Sequence, residues 1–512
     1  MTAAIAKQSA FHFERYTLFM GLHLALVFIH YVYWAKTLTT LTCCLPVDAM
    51  IDEDLASYAL SCVDAAFYAE VHLEDAIGTG MVLSNGEVEA VEETEQHGLS
   101  IRALVDGAMG FAATNIMDRQ TVRKTALRAL RNAGRQQKRQ PISFAGHYSE
   151  TARWDVAMKD EFPSWDAKIA FLQELDGLCA DRTVSRFFSY EDALINRYYC
   201  NTDSASIVSS VPRLSLYYLV TVAADGDTEQ MNRQFGNTGG WEHATAWNAG
   251  DILDHDISFL HRLLREGKTP SEETLDMVIG PYVSGIIAHE SCGHPFEADR
   301  ILGREAAQAG TSFVTRDMQG TRIGSPVVSV IDDPTIPHTY GYYRYDDEGV
   351  PATQRYLIQN GVINSFLHNR DTASEMDTTS NGAARAAAYS REPIVRMANT
   401  YIDPGDHSLE ELIEDVDRGI YMVTFMEWNI DDRRYNQKYV GEEAYAIENG
   451  EITHPVRHPA LEITTPGFYH SVDAVGDTLQ LYPATCGKGD PMQPIPVTTG
   501  GPALRLREVR VR

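Results

Sequence analysis

Apolar and polar positions alternate along residues 67–73, 80–83 and 88–91, and this period of two predicts strands. Ser84-Asn85-Gly86 between the last two predicts a tight hairpin. Residues 100–105 continue the sheet as far as a turn at Asp106-Gly107. The period then changes, with Val122, Ala126, Leu127 and Leu130 at helical spacing within residues 119–132. A second helix is expected over 165–174, antiparallel strands over 183–197 and 206–224, and loops at 225–227 and 237–240. Ile252, Leu253, Ile257, Leu260 and Leu263 predict a third helix over 251–265. Gly267-Lys268-Thr269-Pro270 breaks the pattern. Beyond it, strands are expected at 327–331, 355–358, 361–367 and 421–428, and Asn360-Gly361 and Asn449-Gly450 each predict a type I′ hairpin turn.

Strands followed by helices imply an α+β fold. The expected organisation is a hydrophobic extension over 1–46, an N-terminal α+β domain over 47–140, a central α+β domain over 141–267, and a β-rich C-terminal domain over 268–512 that carries a metal-site helix. Residues 17–35 form a run of 19 without a charge, close to the ~20 needed to cross a bilayer. His23 and His30 weaken that span, while Glu14 beside Lys7 and Arg15 and the lack of a small-residue cleavage site argue against a signal peptide. The extension reads as a misassigned start or a dispensable segment, with Met50 as an in-frame start. A membrane anchor through 17–35 is the alternative to a cytoplasmic protein.

Charge narrows the function. Asp plus Glu number 71 against 43 Lys plus Arg, a net charge of -28, which disfavours nucleic-acid backbones as partners. The seven cysteines are scattered and contain no CxxC, so a disulfide framework is not expected and a reducing compartment is.

The chemistry concentrates in residues 282–297, YVSGIIAHESCGHPFE. An apolar helix start runs into His289-Glu290, and a second histidine, His294, follows five residues after the first. On an unbroken α-helix that spacing splays the rings by about 140°. Gly293 taking a positive φ, Pro295 biasing His294 toward extended backbone, or a π-bulge would each bring the rings together. Glu290 then stands beside a bound metal and serves as a base. A catalytic zinc needs a third protein ligand, and the candidates are Cys292, Glu297 and a remote cysteine. Cys486 is the strongest remote choice: Gly487 beside it allows close approach, and Lys488 is expected to help hold a thiolate. Glu297 otherwise reads as a carboxylate that orients a liganding histidine. His454 and His458 are also four apart, but Pro455 argues for loop or strand histidines.

Together with Tyr68-Ala69-Glu70-Val71, Asp106 to Ala112, Asp346-Asp347-Glu348-Gly349, Arg396 to Tyr401, Ile447 to Gly450 and Cys486 to Gly489, the HExxxH segment resembles the TldD/PmbA family of metallopeptidases, in its metal-carrying TldD-like branch. The resemblance implies His289, His294 and Cys486 as ligands of one Zn2+ per chain and Glu290 as the catalytic carboxylate. It also implies peptide or unfolded-protein substrates bound in extended form, and a dimer, plausibly a heterodimer with a PmbA-like paralogue that lacks the metal motif. Pro295 stands where the family leads one to expect a glycine. Asp347, Arg396 and Asn399 are candidate substrate-binding residues, with a solvated turn and local structural bonding as their plainer readings. The expected activity is a zinc-dependent metallopeptidase. A non-catalytic scaffold subunit of such a complex, or another metal-dependent amide hydrolase, is the alternative.

Overall fold

The structure, a computed structural model, describes residues 51–135, 141–305 and 310–512. The apolar run at 17–35 lies outside them. Among the described residues no helix is long and apolar enough to cross a membrane.

Seven strands build the first sheet: β1 (Tyr68–Ser84), β2 (Glu87–Val105), β3 (Ala108–Thr114), β4 (Thr151–Asp155), β5 (Ser185–Asn201), β6 (Ser206–Ala224) and β7 (Asp227–Thr238). Their order is β3-β2-β1-β5-β6-β4, with β7 also paired to β6; only the β4–β6 pairing is parallel. Polar residues divide β1 into separate runs in the sequence. It is nevertheless one strand, because β2 and β5 pair it along both edges. Buried Glu74, at the break, accepts from Arg197 Nε directly across on β5 at 2.7 Å. The β1–β2 turn is the predicted one, with φ of 49° at Asn85 and 85° at Gly86, the positive pair a type I′ turn requires.

Helices cover the sheet where their apolar stripes meet it. The stripe of α1 (Glu53–Ser61) packs against β1 and against α2 (Arg119–Arg135), which lies on β2 and β3 and buries Val122, Ala126, Ala129 and Ala133. On β6 and β7, α4 (Ala249–Glu266) buries Leu253, Ile257, Leu260 and Leu263 and carries α3 (Trp165–Cys179) beside it.

The remaining chain forms a nine-stranded sheet and a six-stranded sheet that share one apolar core. A central strand of the larger sheet, Glu273–Ile279, ends at Gly280, and Pro281 starts α5 (Pro281–Ala288) at the position where its missing N–H costs nothing. The helix is apolar all round and buried, as such helices are. Gly285 sits so close to the Gly500 backbone that a β-carbon would stand 2.7 Å from its nitrogen. Three expected strands differ, the one expected over 327–331 being strand only from its fourth residue, in Val330–Asp332. Only Val362–Ile363 of 361–367 is strand, because the Asn364 and Ser365 side chains turn back to donate to the Tyr356 carbonyl and release the chain toward the core. Residues 421–428 divide between Arg418–Met422 and Phe425–Ile430: the Val423 and Thr424 N–H groups both donate to the Glu443 carbonyl, where the chain changes partners. The fold is α+β, as the alternating periods predict.

A buried ion network joins the first sheet to the C-terminal loops. Arg102 Nη2 on β2 forms an ion pair with Glu70 Oε1 on β1 at 2.7 Å and donates to Glu348 Oε1 at 2.6 Å, and Glu348 Oε2 accepts the Arg370 N–H at 2.7 Å.

Candidate metal centre

Past Ala288 the helix widens. His289–Gly293 is one π-helical turn, followed by a 3₁₀ turn at His294–Phe296. The His294 N–H donates to the His289 carbonyl, so the fifth residue on stands over the first and the spacing that would splay an α-helix aligns the rings. Their centroids are 4.9 Å apart. The bulge is therefore the device used, and the other two expectations are corrected. Gly293 has φ of -51° and His294 is helical at φ -61°, ψ -45°. Glycine is needed at 293 for space, since a β-carbon there would overlap Met397 Sδ. Pro295 sits in the first turn of the 3₁₀ segment, where proline fits.

Cys486 reaches the same place on Gln480–Lys488, the terminal strand of the six-stranded sheet. Its Sγ lies 3.5 Å from His294 Nε2, and donor atoms of His289, His294 and Cys486 all fall within 4.8 Å of one another in a buried setting. Neighbouring ligands of a tetrahedral zinc stand about 3.3–3.8 Å apart, given bonds of ~2.0–2.3 Å, so two imidazoles and a thiol so placed fit that ion. His289 Nδ1 is buried without a hydrogen-bond partner, an orphan of the kind a ligand would satisfy. Burial pushes the Cys486 thiol up, but the His294 and His289 rings and Arg396 outweigh it and hold it well below its usual value, toward the thiolate that metals bind. Burial pushes the His289 pKa down, and the Cys486 thiol beside it more than reverses that.

A layer of charge supports the cluster. Glu297 Oε2 lies 3.0 Å from His294 Nδ1, 2.7 Å from Arg300 Nε and 3.1 Å from Lys488 Nζ. Burial raises the Glu297 pKa, yet Lys488, His294 and Arg300 hold it well below the carboxylate range. The ionised carboxylate can only accept, so Nδ1 of His294 carries the hydrogen and Nε2 keeps its lone pair. Lys488 was expected on the thiolate and is instead held by Glu297, by both Asp299 oxygens at 2.7 and 2.8 Å and by the Val395 carbonyl: two residues on, it shares the strand face of Cys486, but its long stem carries the ammonium to the carboxylates.

Glu290 is buried beside the rings and paired with Arg434 Nη1. Burial raises its pKa, and Arg434 and the two imidazoles bring it below the ordinary value. Arg434, Arg300 and Asp299 had no signal in the sequence. Arg434 lies in the polar turn Asp431-Asp432-Arg433-Arg434, and only the pairing of Phe425–Ile430 with Asn436–Gly441 aims that turn at Glu290.

The other candidates fall elsewhere. Cys292 is wholly buried among apolar side chains, and burial with nearby Asp332 pushes its thiol well up. Arg396 and Asn399 are both buried and bonded to the protein's own backbone, Arg396 to the carbonyls of Cys486 and, at 2.8 Å, Gln493, and Asn399 to that of Asp333. Asp347 accepts the Ala386 N–H at 2.7 Å on a separate cavity wall. His454 lies in a strand and His458 pairs with Glu229. A second set, His255, Asp256 and Glu443, also brings three donor atoms together, but Arg233, Tyr218 and Tyr445 already occupy its carboxylates.

Residues 69–133, 161–265 and 272–512 match domain 1, the central domain and the C-terminal domain of the PmbA/TldA metallopeptidases. Over 464 residues the chain is 31% identical to a metalloprotease of Methanothermobacter thermautotrophicus, covering 90% of this chain and 99% of that one. The chain belongs to this metallopeptidase family. A zinc metalloprotease TldD homolog of Saccharolobus solfataricus is 28% identical over 330 residues, 63% of this chain and 70% of that protein. The crystal structure of TldE from Thermococcus kodakarensis shares the fold, with a TM-score of 0.69 at 16% identity over 90% of this chain and 99% of that one. Membership also gives physical sense to two of the family-like segments. Glu70 of the first and Glu348 of the third are distant in sequence, and both close on Arg102.

Proposed function

We propose that the protein is a zinc-dependent peptidase acting on extended, unfolded polypeptide segments, with His289, His294 and Cys486 as ligands of one zinc per chain and Glu290 as general base. The observation that carries this reading is the convergence of two rings and a thiol, 192 residues apart in the chain, on one buried point with a carboxylate alongside. When bound there, zinc supplies a Lewis acid and a water whose pKa lies near ~7. Glu290, kept ionised by Arg434, accepts the proton of the attacking water and returns it to the leaving amine. Glu297 keeps His294 in one tautomer, with Arg300 and Lys488 holding Glu297. The strand bearing Cys486 is the last of its sheet, and such an edge suits a peptide laid alongside as a further strand. Assembly with a TldE-like paralogue belongs to the same proposal, supported by the shared fold and tested by co-purification.

The test measures metal content and cleavage of an unstructured peptide in one sample. About one zinc per chain, lost in Cys486→Ala, is expected. Glu290→Gln keeps the zinc and loses about 10²–10⁴-fold in turnover. Zinc retained in Cys486→Ala removes that ligand, and undiminished turnover in Glu290→Gln removes the base. Bound zinc with no cleavage favours a scaffold subunit.

A further inference from the structure

A cavity separate from the His289–His294–Cys486 cluster lies between the first sheet and the C-terminal loops. Its volume is about 70 Å³, with side chains of β1, β5 and β6 on one wall and segments within 343–347 and 386–393 on the other. Its charges are unevenly matched. Arg197 is taken by Glu74 and, at 3.5 Å, by Asp347. Among the described residues Arg213 on β6 has no carboxylate partner: its bonds are long ones to the Tyr340 and Tyr342 carbonyls, at 3.4 and 3.3 Å. Arg391, exposed at the rim, forms no ion pair among the described residues. Burial, then the like charges of Arg197 and Arg385, bring the Arg213 guanidinium down to about 9. A half-buried cation left beside other cations is costly to keep.

The cavity is tied to the metal cluster by a single hairpin. Ala384–Arg385 pairs with Ile394–Val395, and the tip between them supplies Ala386, Ala388, Tyr389 and Arg391 to the cavity wall. The base of the hairpin reaches the cluster. Arg396 donates to the Cys486 carbonyl, Met397 fills the space at Gly293, and Arg385 donates to the carbonyl of Pro496, which stands opposite Thr485.

We propose that this cavity is a carboxylate subsite, in which Arg213 receives the carboxylate of an extended peptide whose scissile bond lies at the His289–His294–Cys486 cluster. The inference rests on the peptidase reading for where the peptide lies. A guanidinium presents paired N–H donors that match a planar carboxylate, and Ile195, Ile207 and Val211 offer apolar wall to the neighbouring side chain. The carboxylate comes either from the peptide's C-terminus or from an aspartate or glutamate side chain.

Binding of fluorescein-labelled unstructured peptides to the zinc-loaded Glu290→Gln protein, read by anisotropy, tests the subsite without depending on turnover. Three peptides of one parent sequence are compared: a free C-terminus with glutamines inside, its C-terminal amide, and the amide with glutamates inside. At least one carboxylate-bearing peptide is expected to bind about tenfold or more tightly than the neutral amide, and which one identifies the source. Arg213→Gln in the same background abolishes that preference and leaves the neutral amide's affinity unchanged, while Arg213→Lys keeps part of it. Equal binding of all three peptides, or equal weakening of all three by Arg213→Gln, overturns the subsite. If Arg213→Gln does not fold, the comparison of the three peptides on the parent protein decides. Cleavage by the unsubstituted enzyme is measured in parallel: indifferent but active cleavage removes the subsite and leaves the peptidase, whereas no cleavage of any peptide removes the peptidase.

Discussion

Glu297 Oε2 accepts from His294 Nδ1 at 3.0 Å while Arg300 and Lys488 hold the same oxygen from other sides. Replacing the anion by an amide keeps the shape and removes the charge that orients the ring. Glu297→Gln is expected to lower zinc affinity about 10–100-fold, measured by competition with a chelator of known affinity. An unchanged affinity would show that the carboxylate does not tune His294.

Arg434 offers a pH test. Burial raises the Glu290 pKa and Arg434 is the first of the charges that lower it, so removing the guanidinium lets the pKa rise. The acid limb of kcat/KM in Arg434→Met is then expected to move to higher pH, because more protons must leave Glu290 before it can act. A limb at the same pH in both proteins would detach Arg434 from the base.

The close approach of Gly293 to Met397 predicts a compensating pair. Gly293→Ala forces a β-carbon into Met397 Sδ and is expected to cost about 1–3 kcal/mol with weakened zinc binding. Met397→Ala opens the space, so the double variant should be less destabilised than the sum of the singles, by about 0.5 kcal/mol or more. Additive losses in urea denaturation would place the clash elsewhere.

His368 is buried, with Thr372 Oγ1 as its ring partner, and burial lowers its pKa to about 4. The unfolded chain, near the ordinary ~6.5, takes up the proton first. The sign is therefore a loss of stability as pH falls from about 6.5 toward 4, worth about 2 kcal/mol between pH 7.5 and pH 5. His368→Gln removes that component, so its stability should fall less over the interval than the parent's. Parallel losses would contradict the assignment.

Arg102 neutralises two buried carboxylates at once. Arg102→Met leaves Glu70 and Glu348 buried and uncompensated, a loss expected at about 3–5 kcal/mol and visible as a large drop in denaturation midpoint. A small drop would mean that water reaches these groups.

Periodicity made the elements legible where one face of an element is buried. The α4 stripe and the Asn-Gly turns at 85–86, 360–361 and 449–450 are of this kind, and all three turns have the positive φ pair. It failed where local bonds redirect a run: Asn364 and Ser365 end one strand, and the Glu443 carbonyl divides another. At the candidate site the spacing of His289 and His294 required an irregular helix, while the form it takes depends on Met397 filling the space at Gly293. Arg434 and the true direction of Lys488 were not legible, because each depends on how distant strands are paired rather than on its own neighbours.

The placement of Cys486 has a consequence for biosynthesis. While a ribosome is still decoding the segment that follows the paired histidines, their partner sulfur has not yet been made, and the loop it must close is 192 residues long. On the peptidase reading, cleavage chemistry that depends on this trio stays switched off throughout translation of that segment.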